Sequence, residues 1–107
     1  MGLFKKRYTK NVTRDNEFMK EYAIKVHSLL LYTEENETVT KALKVMMDDL
    51  QYTVATSDSD AKGMERKIKK EFSALTSALQ QEPFDEAEVL MHIKNIRRFI
   101  VEINAMR

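Results

Sequence analysis

Residues 61–79 read Ala61-Lys62-Gly63-Met64-Glu65-Arg66-Lys67-Ile68-Lys69-Lys70-Glu71-Phe72-Ser73-Ala74-Leu75-Thr76-Ser77-Ala78-Leu79. At about 100° per residue, Ala61, Met64, Ile68, Phe72, Leu75 and Leu79 fall within about 80° of arc, a narrow apolar seam of coiled-coil type. The other bulky positions of the stretch are polar, so a helix with one buried face is the reading that keeps its charges in water.

Working outward, Thr56-Ser57-Asp58-Ser59-Asp60 precedes the seam, and these side chains hydrogen-bond backbone amides readily. They end one helix and cap the next. On the other side Pro83 stops the seam, and Phe84-Asp85-Glu86-Ala87-Glu88-Val89 has the form of a capping box with a hydrophobic staple: Asp85 accepts from the Glu88 amide, Glu88 reaches back, and Phe84 meets Val89. The helix that follows turns Val89, Ile93, Ile96, Phe99, Ile100 and Ile103 inward.

The same period upstream puts Phe18, Met19, Tyr22, Val26, Leu29 and Leu30 on one face, with Ala23 at its edge, and Val39, Ala42, Leu43, Met46, Met47, Leu50 and Val54 on another. Between them Thr33-Glu34-Glu35-Asn36-Glu37 has no apolar residue and reads as a connection, with Asn36 or Thr38 as the cap. The expected helices are 15–33, 37–55, 59–81 and 85–106. Four amphipathic helices on short connections pack against oppositely running neighbours, so the expected fold is all-α: an antiparallel up-down-up-down four-helix bundle over 14–107, one domain, with a short basic N-terminal arm over 1–13.

Composition agrees. In 107 residues there are two Gly, one Pro and 43% hydrophobic residues, too few breakers for a many-turned β fold and too much apolar material for disorder. With no Cys there is no disulfide framework, zinc knuckle or thiol nucleophile. Met1 to Arg7 holds only Leu3 and Phe4 as bulky apolar residues, short of a secretory h-region, and no run approaches the length of a spanning helix. A cytoplasmic location is the expectation. Gly2 is not followed by the Ser or Thr that myristoylation wants, because that position is Lys6.

Catalytic chemistry finds little support. His27 and His92 both fall within helices, and neither has the paired Glu-x-x-His partners of a bundle di-metal centre; His92, at the edge of the buried stripe, reads as a boundary histidine bonded to a neighbour or to water. Asp58-Ser59-Asp60-Ala61-Lys62-Gly63 begins like a calcium loop but puts Lys62 and Lys69 where oxygen ligands belong. Asp48-Asp49 and Glu34-Glu35 read as solvated faces. There is no phosphate-cradling glycine loop, nucleophile elbow or helical zinc motif. No catalytic, cofactor-binding or metal-binding residue is assigned, no small-molecule substrate is identified, and the chain is read as a non-enzyme.

Two surface features remain. The net charge is +1, but residues 1–14 hold five bases and no acid. Lys5, Lys6, Arg7 and Lys10 of that arm, with Lys62, Arg66, Lys67, Lys69 and Lys70 on the outer face of the third helix, form a basic surface that would meet phosphates of nucleic acid or an anionic membrane. Against that reading, Glu65 and Glu71 interrupt the helical patch and no aromatics interleave with it.

The second feature is apolar surplus. Ile24 and Leu31, seven apart and flanking His27, lie off the core stripe of the first helix; Val45 and Tyr52 repeat the spacing on the second, and Leu90 and Val101 lie eleven apart on the fourth. Paired seams on successive helices suggest a surface made to be covered by a second copy or a partner helix, so the favoured reading is an interaction or assembly module, a homodimer through helices one and two, with Ile24, His27, Leu31, Val45 and Tyr52 as the seam. Nucleic-acid or membrane-surface binding through the basic surface is the alternative.

Overall fold

A computed structural model describes residues 17–53 and 59–105. These residues form helices and no strand: α1 over 17–29, continued by a 3-10 turn at Leu30–Tyr32; α2 at Glu37–Gln51; α3 at Ser59–Leu79; and α4 at Glu86–Ala105. The expected arm, the early starts at 15 and 16, and most of the 54–58 linker lie outside the described residues.

The helices are shorter than their apolar period because local hydrogen bonds claim the terminal carbonyls first. After α1, Thr33 bonds back to Leu30 O through its amide at 3.2 Å, which tightens the last turn. Its carbonyl then accepts from the Asn36 amide at 2.8 Å and from the Thr40 hydroxyl at 2.6 Å, and the two threonine hydroxyls lie 2.9 Å apart. Thr33 is one of two buried polar residues, and these contacts satisfy it. The other, Thr53, ends α2 four residues before the expected boundary, its hydroxyl donating to Asp49 O at 2.5 Å. At the end of α3 the Gln80 amide is shared between Thr76 O and Ser77 O at 3.1 and 3.3 Å, short of the expected end at 81.

The starts follow the capping expectation. Asn36 Oδ1 accepts from the Val39 amide at 3.0 Å, which makes Asn36 the cap of α2 rather than Thr38. Asp85 Oδ1 accepts from the Glu88 amide at 3.3 Å at the head of α4, Val89 is buried, and Phe84 packs half-buried against the core.

The stripes meet in one cluster of buried residues drawn from all four helices, with Val26, Leu43, Ile68 and Ile96 fully buried. The third helix buries Ala78 besides its seam, while Met64 is only partly covered. Phe18, Leu30, Met47 and Phe99 lie at the margin of the core, half-buried. Gly63 leaves space: a Cβ there would meet nothing within 4 Å.

Candidate functional site

The five seam residues all lie on the outside. Ile24 is 71% exposed, Leu31 74%, Val45 42% and Tyr52 80%, and His27 is exposed between the first two. Val101 on α4 is 64% exposed, while Leu90 packs half-buried on the core. Large apolar side chains at such exposure cost free energy in water, about 25 cal/mol per Å² of apolar surface left uncovered.

Neighbouring elements group these residues into two grooves. Tyr52 and Val101 line one, between the end of α2 and α4, of about 240 Å³; Asp48, Asp49 and Arg97 border it, and Ile100 is part of its wall. Arg97 Nε donates to Asp49 Oδ2 at 2.6 Å across that groove, so an ion pair rims the apolar wall. Leu31 lies in the other, of about 560 Å³, with Tyr32, Leu79, Pro83 and Phe84 as apolar lining and Glu34, Glu35 and Glu82 as carboxylates. Both connections, 33–36 and 80–85, therefore meet at one end of the molecule, where Asn36 Nδ2 also donates to Glu86 Oε1 at 2.8 Å. The seven-residue periodicity identifies the exposed pairs; their assignment to grooves depends on which helices are neighbours, a relationship outside any single helix's pattern.

The helical part of the basic surface is present as expected in position: Lys62, Arg66, Lys67, Lys69 and Lys70 are all exposed. Two of them are engaged, Lys67 Nζ lying 5.9 Å from the Phe99 ring centroid and Lys69 Nζ 5.8 Å from that of Phe18, so their stems also shield half-buried aromatics. Lys5, Lys6, Arg7 and Lys10 fall outside the described residues.

His92 is half-buried and hydrogen-bonds through Nδ1 to Glu71 Oε2, and Asn95 Nδ2 donates to the same oxygen at 3.1 Å. This three-residue cluster ties α3 to α4 and gives the boundary histidine its neighbour. Glu71, which interrupts the basic patch in the sequence, is thus turned toward α4. Among the described residues no group of three or more His, Asp or Glu could hold a metal ion, and no helix is long and apolar enough to cross a membrane.

No protein-family model matches the sequence, and comparison with curated proteins and with solved structures returns no match.

Proposed function

We propose that the chain is a non-enzymatic, cytoplasmic helical interaction or assembly module that self-associates through α1 and α2. The observation that carries this reading is the exposure of two heptad-spaced apolar pairs, Ile24 with Leu31 and Val45 with Tyr52, beside a core that is already closed. Covering a fully exposed Leu or Ile is worth about 1.5–3 kcal/mol, so a few such side chains supply the centre of a modest interface. His27, between the first pair, would sit at the polar margin of that contact.

The scaffold of this reading is an antiparallel up-down-up-down four-helix bundle carrying a basic arm over 1–13. Pairs that advance together support it: Asn36–Glu86 and Asp49–Arg97 along α2 and α4, and Phe18–Lys69 and Tyr22–Phe72 along α1 and α3. Glu71–His92 and Lys67–Phe99 advance in opposite senses along α3 and α4. In this arrangement α1 neighbours α3 and α2 neighbours α4, which leaves the outer flanks of α1 and α2 for a partner.

The test is a dilution series followed by amide chemical shifts. Shifts that move with concentration at residues 24, 27, 31, 45 and 52, and not along the α3 bases, support the module. Shifts independent of concentration across α1 and α2 contradict it.

A further inference from the structure

We infer that the acidic groove at the paired connections takes the basic segment Leu3–Tyr8 of a second copy, giving head-to-tail association. This deepens the assembly reading and rests on it, since both make the partner another copy of the chain.

Charge is separated along the molecule. Residues 33–37 hold three carboxylates and residues 80–88 hold four, with no Lys or Arg in either stretch. Helix starts account for several: Glu37, Glu86 and Glu88 lie in first turns and Asp85 is a cap, places where negative charge is favoured. Glu34, Glu35 and Glu82 have no such role, and these are the three that line the groove, beside exposed Leu31 and Tyr32. The bases gather elsewhere. Lys62 to Lys70 occupy the first half of α3, which runs about 30 Å before it reaches the groove.

The segment Leu3-Phe4-Lys5-Lys6-Arg7-Tyr8 alternates what the groove lacks: apolar side chains for its wall and bases for its carboxylates. A chain's own segment is poorly placed to supply them. Residue 17 starts α1 about 20 Å from Leu31, and Phe18 lies beneath Lys69 in the basic half. From Tyr8 to Glu17 the chain spans about 30 Å only when fully extended, so reaching back would need it nearly taut and would bring it away from no like charge. A second copy presents the same segment from its basic half directly to the acidic end, and the contact repeats because donor and acceptor surfaces differ.

Two full-length variants test this. Glu34→Lys/Glu35→Lys/Glu82→Lys reverses the groove and keeps the arm; Lys5→Gln/Lys6→Gln/Arg7→Gln keeps the groove and neutralises the arm. Far-UV circular dichroism checks that the first, whose changes are all on exposed connections, keeps its helices. In sedimentation velocity at about 0.05 M salt, each variant alone should associate at least about tenfold more weakly than wild type, and the wild-type contact should weaken as salt rises to about 0.5 M. Mixed, they should form a capped one-to-one pair, because only one arm and one groove remain compatible. A mixture no more associated than its components, or a wild-type association indifferent to salt, overturns the inference. Loss of the salt-resistant association in Ile24→Glu or Tyr52→Glu reports separately on the α1 and α2 seam.

Discussion

Asn36 joins two helix starts: its Oδ1 caps α2 by accepting from the Val39 amide, and its Nδ2 donates to Glu86 in the first turn of α4 at 2.8 Å. The two contacts use opposite ends of one amide. Asn36→Ala removes both, and unfolding in urea should show a loss of about 1–2 kcal/mol. Asn36→Asp keeps the cap but sets a carboxylate against Glu86, so its loss should be smaller than that of Ala and should shrink with added salt.

The Glu71 cluster is expected to matter more than the surface ion pairs. Glu71→Ala leaves the half-buried His92 and Asn95 without their shared acceptor and should cost about 1–3 kcal/mol, whereas Glu71→Gln, which keeps an oxygen in place, should cost less. Loss of the exposed pair Glu37–Lys41 should cost no more than about 0.5 kcal/mol by the same unfolding measurement.

Helices and their buried faces are readable from the sequence because one period of 3.6 residues runs through each stripe, and the caps at Asn36 and Asp85 follow from short-range chemistry. Helix ends are less so. Thr33 and Thr53 take backbone carbonyls that the apolar pattern would leave to another helical turn. Pairings such as Asn36–Glu86 or Glu71–His92 join residues on different helices, and no local pattern encodes which flanks meet. The exposed pairs Ile24–Leu31 and Val45–Tyr52 are legible as surplus to a stripe; the grooves they border are not, since those belong to the neighbouring elements.

Core and seam should separate cleanly in a mutant series. Leu43 is fully buried, and Leu43→Ala should cost about 2–5 kcal/mol through lost burial and the cavity left behind. Leu31→Ala, at a position 74% exposed, should change monomer stability by no more than about 0.5 kcal/mol while weakening association.

Gly63 lies in the first turns of α3 at a negative φ, with open space where a Cβ would go. Gly63→Ala should therefore stabilise the fold by about 0.5–1 kcal/mol, chiefly by restricting the unfolded chain. Thermal unfolding should register a rise of about 2–6 °C in Tm.

Self-association through α1 and α2 is tested most directly by sedimentation equilibrium of the full chain at tens of micromolar in about 0.5 M salt, where end-to-end charge contacts are screened. The expected wild-type mass lies well above the 12.6 kDa of one chain, and it returns to that value in Ile24→Glu and Tyr52→Glu. A wild-type chain that sediments strictly as a monomer, or variants whose mass equals that of an associated wild type, would contradict it.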